Sequence, residues 1–368
     1  GIDSSLIASI MQKNSSKKIE TFSIGFENKN MDESKFASQI AKSIGTSHNE
    51  LIVEPKDILD IVSEIPKIYD EPFADSSQLP TFILSKFTRE KVKVSLSGDG
   101  GDELFGGYNR YNWHEKIKKF NSFFPYNIRN IISNILTKIN PEQYDRLSNL
   151  FIPNKLRPSM LGDKIYKVSD IIKLKDNQKI YEILTSFWPE EVNVVNNKNT
   201  NLNYYDKLDN ISPHISDLLR LQLLDLITYL PNDILTKVDR ASMYNSLEVR
   251  VPFLNHNIIE YALNIKDHYK VNKGNTKIIL KDILSEYVPY AKFNRPKMGF
   301  AVPLANWFRE DLRDWAQTFL NEKKLKKSNL NSELILKRWN EHISGKRNWQ
   351  YSLWNIIILQ SWREHWNI

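Results

Sequence analysis

Val92-Lys93-Val94-Ser95-Leu96-Ser97-Gly98-Asp99-Gly100-Gly101-Asp102-Glu103-Leu104-Phe105-Gly106-Gly107-Tyr108 opens as a compact strand and passes at once into a loop of five glycines and three acids. A surface turn needs one or two glycines. Five imply that backbone, or a ligand, comes close at several points. Upstream, the types alternate. Ile19–Phe26 has the β-branched content of a strand, Met31–Ile44 a helical apolar pattern closed by Gly45, and Asn49–Val53 a short strand. Ile58, Ile61, Val62 and Ile65 mark a helix stopped at Pro66, and Leu79–Thr88 another helix. Strands alternating with helices predict an α/β fold with a mostly parallel, doubly wound sheet.

A second loop stands at the start of the chain. Gly1-Ile2-Asp3-Ser4-Ser5 runs into the apolar helix pattern of Leu6–Met11. Such a turn normally hangs on the end of a buried strand, so the chain is expected to be a fragment whose first strand lies upstream. In a sheet of order 3-2-1-4 that strand would neighbour Val92–Leu96. The two loops would then face each other, although nearly one hundred residues separate them. Small residues at Gly1, Ser4 and Ser5 let phosphate oxygens approach a helix N-terminus. A lone carboxylate, Asp3, would repel phosphate. A magnesium ion shared by Asp3 and Asp102 resolves this, since Mg2+ takes one or two carboxylates together with phosphate oxygens. The bland alternative makes Asp3 an N-cap and the glycines plain turns.

Composition excludes several classes. There is no cysteine, hence no disulfide scaffold, thiolate metal site or cysteine nucleophile within this chain. Seven histidines are dispersed without paired spacing, which argues against zinc. No stretch approaches the roughly 18 apolar residues of a membrane span, and no membrane partner is expected. The net charge of +7 permits polyanion binding, but the dense run Lys323–Lys327 reads as a solvated face, and no nucleic-acid partner is expected. Seven of the nine tryptophans lie from Trp307 onward, where helical spacing points to packing.

Further pieces fall in a telling order: Thr21–Phe26, Gly45–His48, Asp70–Ser77, Lys237–Met243, Ser246–Leu254 and Arg295–Phe300. With residues 1–5 and 97–108 they resemble the synthetase domain of the class B, glutamine-hydrolysing asparagine synthetase family. That family belongs to the ATP-pyrophosphatases with a PP-loop. The resemblance spans residues 1 to about 305, and Asn255 departs from the aspartate usual after Pro-Phe-Leu. It implies an ATP-dependent carbon–nitrogen ligase. A carboxylate attacks the α-phosphorus of ATP, pyrophosphate leaves, and ammonia displaces AMP from the acyl-adenylate. Aspartate to asparagine is the first reading; a uronic acid or a β-lactam precursor is a rival acceptor, and a PP-loop RNA-modifying enzyme a more distant one. Ammonia would come from glutamine through an N-terminal glutaminase domain with a catalytic cysteine, absent from this chain. A cytoplasmic location and a homodimer accompany the resemblance as expectations.

Residue roles follow from the same likeness. Gly1, Asp3, Ser4 and Ser5 would bind the ATP phosphates, and Ile24, Ser97 and Gly98 would line the adenosine pocket. Lys297 would stabilise the charge developing at the α-phosphate. Asp99 would position or deprotonate the amine, or else be a turn acid. For the acceptor, Glu71, Asp75, Ser76 and Ser77 are candidates for its ammonium and Arg110 for its α-carboxylate. Glu248 and Arg250 would instead form a structural ion pair. The expected organisation is a synthetase domain over 1–305 (α/β core 1–110, helical 111–305) and a Trp-rich helical extension over 306–368.

Overall fold

The computed structural model describes residues 1–26, 32–153, 161–174, 177–188, 193–196, 214–295 and 302–368. The chain forms two compact units that do not follow it linearly. The first gathers Gly1–Tyr108, Asn203–Pro303 and Ser361–Ile368; the second gathers Asn109–Leu202 and Leu304–Gln360.

In the first unit the predicted alternation is present. Helix α1 (Ile2–Lys13) leads to strand β1 (Glu20–Phe26), helix α2 (Ser34–Ile44) and strand β2 (Ser47–Val53). Strand β2 lies parallel to β1 in the register Glu20↔Ser47 to Phe26↔Val53. Gly45 ends α2 in the left-handed conformation, as its place in the sequence predicts. Helices α3 (Pro55–Val62), α4 (Ile65–Tyr69) and α5 (Gln78–Arg89) follow. Pro66 does not stop a helix. It sits in the first turn of α4, where its missing N–H has no intrahelical partner to lose. Strand β3 (Val94–Leu96) runs into the glycine loop and helix α6 (Gly101–Phe105).

The partner of β3 is distant. Strand β4 (Glu248–Arg250) pairs with it in parallel, Val94↔Glu248 to Leu96↔Arg250. The ladder continues one step, with the Ser97 N–H donating to the Arg250 carbonyl at 3.0 Å. Among the described residues the strands therefore form separate parallel pairs, not one continuous sheet. A hairpin, β5 (Val271–Asn272) and β6 (Asn275–Thr276), completes the strands. Its two turn residues, Lys273 and Gly274, both have positive φ, the type I′ signature that matches strand twist.

One apolar cluster underlies the loops. It includes Leu6 of α1, Ile40 of α2, Leu104 and Phe105 of α6, and Phe253, Leu280 and Leu284. Burying each such side chain is worth about 1.5–3 kcal/mol. The cluster therefore fixes the entry points of α1, α6 and helix Ile278–Ser285 relative to one another.

The second unit is helical. It packs Asn109–Phe123, Tyr126–Leu136, Pro141–Phe151, Leu161–Ile172 and Asn177–Thr185 with helices from Leu304 onward. Its late tryptophans do pack: Trp354, Trp339 and Trp307 are buried, and the Phe308 ring lies 6.0 Å from both Trp339 and Trp354. No helix among the described residues is long and apolar enough to cross a membrane.

Candidate functional site

Three residues remote in sequence meet over that apolar cluster. Asp3 stands in the first turn of α1, Asp102 in the first turn of α6, and Lys277 at the head of helix Ile278–Ser285. Each is followed two or three positions later by a core residue, Leu6, Leu104 or Leu280, which anchors it from below. The Lys277 ammonium pairs with Asp3 Oδ2, and with Asp102 Oδ1 at 2.6 Å. The lysine side chain is only 5% exposed. Burial alone would lower its pKa. The two carboxylates, Asp3 foremost, more than offset that and hold it above the ordinary lysine value.

Glycine permits this approach. A Cβ on Gly98 would stand 2.8 Å from both Asp3 Cβ and the Ser4 nitrogen, so only glycine lets the second loop lie on the first turn of α1. Gly107 fills the same need on the other side, where a Cβ would overlap Asp102 Oδ1 and Lys277 Cε. The two glycine-bearing loops are thus in contact.

The charge count leaves the cluster acidic: two carboxylates against one ammonium, with Asp99 close by. Asp3 Oδ1 is buried and makes no hydrogen bond among the described residues. An orphaned carboxylate oxygen beside a second carboxylate is a donor set that suits a small hard dication. No group of three or more acidic or imidazole side chains is placed to hold a metal ion among the described residues; two carboxylates with ligand oxygens and water are a set that Mg2+ accepts.

Around this centre the other candidates are placed as follows. Gly1 caps α1, Ser4 is exposed at its first turn, and Ser5 is buried and continues the helix. Ile24 is buried on β1; Ser97 and Gly98 link β3 to the turn at Asp99–Gly100. Burial raises the Asp99 pKa; Ser97 and Lys237 pull it down, and Asp3 and Asp102 add to the rise. Asp75 is engaged internally. Its Oδ2 accepts from Lys237 Nζ at 2.7 Å and from the Ser77 hydroxyl at 2.6 Å, while Oδ1 accepts from the Ser77 N–H at 2.9 Å. Burial opposes its ionisation, but Lys237 and Ser77 reverse this and hold its pKa at about 2. Ser76 is buried and Glu71 exposed. Arg110 lies in helix Asn109–Phe123 of the second unit. Lys297 lies outside the described residues. Glu248 and Arg250 form a 2.7 Å ion pair, both side chains more than half exposed.

Two features escaped the sequence reading. Lys277 belongs to no glycine-rich motif; its only local signal is a two-residue hairpin turn at Lys273-Gly274 just before an apolar helix. Lys237 stands in Lys237–Met243, a stretch whose composition carries no chemical signal of its own. It follows a π-helical turn, Leu230–Leu235, of a kind frequent at functional sites. The end of α6 is also locked: Gln222 Nε2 donates to the carbonyls of Glu103 and Leu104 at 2.7 and 2.8 Å. Tyr108 donates to Glu103 Oε1 at 2.6 Å, and burial raises the Glu103 pKa to about 7.

A mixed α/β unit with an acid–lysine cluster at the carboxyl end of a parallel strand defines a broad class. Sequence comparison narrows it. The profile of the asparagine synthase family matches residues 1–364, and the chain belongs to that family. It is 30% identical, over 98% of its length, to asparagine synthetase [glutamine-hydrolyzing] 1 of Bacillus subtilis (strain 168). The same identity and coverage relate it to a putative asparagine synthetase [glutamine-hydrolyzing] of Mycobacterium tuberculosis (strain ATCC 25618 / H37Rv). A putative asparagine synthetase [glutamine-hydrolyzing] 2 of Methanocaldococcus jannaschii is 30% identical over 69% of the chain and 45% of its own length. The chain spans about half of the bacterial relatives, 54% and 53% of their lengths.

Proposed function

We propose that this chain is the ATP-dependent, amide-forming part of a glutamine-hydrolysing asparagine synthetase. In this reading its parallel pairs belong to a doubly wound PP-loop sheet. The β-carboxylate of aspartate attacks the α-phosphorus of ATP, giving β-aspartyl-AMP and pyrophosphate. Ammonia from a glutaminase domain then displaces AMP and yields asparagine. Cytoplasmic ATP and aspartate would supply the reaction.

The observation that carries the reading is the meeting of Asp3, Asp102 and Lys277 over two glycine loops. The first turn of α1, from its cap Gly1 through Ser4, would offer N–H groups, and Ser4 and Ser5 two hydroxyls, to the β- and γ-phosphates. Asp3 and Asp102 would hold Mg2+, which when bound supplies Lewis-acid stabilisation of the departing pyrophosphate. Lys277, held charged by its neighbours, keeps a fixed positive charge where negative charge accumulates on the leaving group. Ile24, Ser97 and Gly98 border the adenosine. Lys297 is assigned, by likeness to the family, to the α-phosphate. Asp99 faces the incoming amine and orients or deprotonates it. Glu71, Ser76 and Ser77 serve the acceptor's ammonium, and Asp75 acts with Lys237 as the ion pair that shapes this wall.

The test is a carboxylate panel (aspartate, glutamate, uronic acids) with ATP, Mg2+ and ammonia, scoring pyrophosphate, AMP and amide. Aspartate-dependent pyrophosphate release with equimolar AMP is expected. Amide formed from a uronic acid alone would move the acceptor, and no AMP with any carboxylate would overturn the reading.

A further inference from the structure

Lys270 is out of place by the ordinary rules of burial. It ends helix Asp267–Lys270 and is fully buried. Its ammonium donates at 3.1 Å to Gln222 Oε1, a neutral oxygen. Burial outweighs the pull of Asp267 and lowers its pKa to about 8. A buried cation that faces a neutral amide costs stability. An unbranched apolar side chain would fill the same space without that cost, so packing does not account for the charge.

Gln222 accounts for it. This side chain is fully buried on helix Asp217–Ile227. A carboxamide has two ends of nearly equal shape, one an acceptor and one a donor. Gln222 Nε2 donates to the carbonyls of Glu103 and Leu104 at the C-terminal end of α6, at 2.7 and 2.8 Å. An ammonium only donates and a carbonyl only accepts. Lys270 therefore decides which end of the amide faces α6. Reversed, the amide oxygen would stand against two carbonyl oxygens.

The same pair joins two elements that carry site residues. Asp102 directly precedes Glu103, and its own carbonyl accepts from the Gly107 N–H at 2.8 Å. Lys270 leads into the hairpin, whose register Val271↔Thr276 brings Lys270 and Lys277 to its base, one at the outer end of each strand. Gly106 lets the hairpin lie on the end of α6, since a Cβ there would stand 2.5 Å from Val271 Cγ2. The base of the hairpin thus holds α6 twice. Lys277 takes the Asp102 carboxylate, and Lys270, through Gln222, takes the two carbonyls that follow it.

We propose that Lys270 and Gln222 are positioning residues, which fix where the Asp102 carboxylate and the Lys277 ammonium stand relative to each other and thereby set the rate of the reaction at that site. The positioning stands on the geometry alone; its effect on rate rests on the ligase reading above.

The test uses the full chain and two readouts. Lys270→Met removes a buried charge and keeps an unbranched side chain, so Tm should hold or rise. Pyrophosphate release with aspartate, ammonia and saturating ATP should nonetheless fall at least about tenfold, with KM for ATP moved less than about threefold, because small misplacements at a reacting centre are costly. Gln222→Met should lose at least as much turnover, and the double variant no more than Gln222→Met alone, because the lysine acts through the amide. Amide hydrogen exchange across residues 103–107 reads the grip on α6 without any reaction. It should quicken about tenfold or more in Lys270→Met. Parental turnover in Lys270→Met, turnover that falls only in step with Tm, additive losses in the double variant, or unchanged exchange would each overturn the proposal. Faster exchange in a chain whose parent releases no pyrophosphate would uphold the positioning and remove the ligase reading instead.

Discussion

Each unit buries a cation, and the two do it by opposite means. Lys277 is enclosed by carboxylates. Arg338 is enclosed by rings: its guanidinium lies 4.1 Å from the centre of Trp188 and 4.0 Å from that of Trp349. Arg347 stacks on the other partner of the same array, 4.1 Å from Trp349, and pairs with Asp163 at 3.2 Å. Burial, reinforced by Arg347, lowers the Arg338 pKa to about 10, whereas Lys277 is held above its ordinary value. Rings cover the Arg338 guanidinium and add no negative charge, leaving its buried Nη1 without a hydrogen-bond partner among the described residues. Carboxylates leave surplus negative charge and, at Asp3 Oδ1, a free acceptor. The first arrangement is suited to holding helices together, the second to holding a ligand.

Removing the cation from the acidic cluster gives the sharpest contrast. Lys277→Met strands two carboxylates in a buried site and should cost about 3–5 kcal/mol of stability, read by urea unfolding. Millimolar Mg2+ should restore part of that loss in the variant and change the parent little. Equal responses would separate the dication from these carboxylates. Next in size, Asp102→Asn should lower aspartate-dependent pyrophosphate release about 10²–10³-fold with a smaller change in Tm. Near-normal turnover would remove Asp102 from the metal assignment.

A third experiment uses acid. Asp75 titrates at about 2 in the folded chain against an ordinary 3.8. Its contribution is therefore present above pH 3.8 and fades as pH falls towards 2. The amount is about 2 kcal/mol. Unfolding curves across this window should show the loss, and Lys237→Met should abolish that limb while being less stable at neutral pH. Smallest is the ring-bound cation: Arg338→Met should cost about 1–2 kcal/mol, perturb tryptophan fluorescence and leave pyrophosphate release unchanged.

The glycine loop after β3 was legible because close approach leaves a compositional trace. Gly98 and Gly107 are glycine because a Cβ at either would meet Asp3 and Ser4, or Asp102 and Lys277, and their clustering announces a crowded place. Lys277 left no such trace. It lies 274 positions from Asp3, and one lysine among many carries no sign of which carboxylates it will meet. Strand β4 is three residues long, too short for alternation to register, and exists because β3 needs a partner. Ile128, Ile131 and Ile135 recur at helical spacing, but periodicity does not say whether such a face looks in or out. Buried Arg129 and Ser133 decide that, through helix Leu161–Ile172.

Lys277 also holds a left-handed backbone (φ 53°) directly after the type I′ hairpin, a conformation that disfavours any residue with a side chain. Its ammonium acts as a counterion tethered to the chain. The two loops can therefore close on each other during folding without waiting for any dissolved ion, and a later guest finds an assembled cradle with one positive charge already in place.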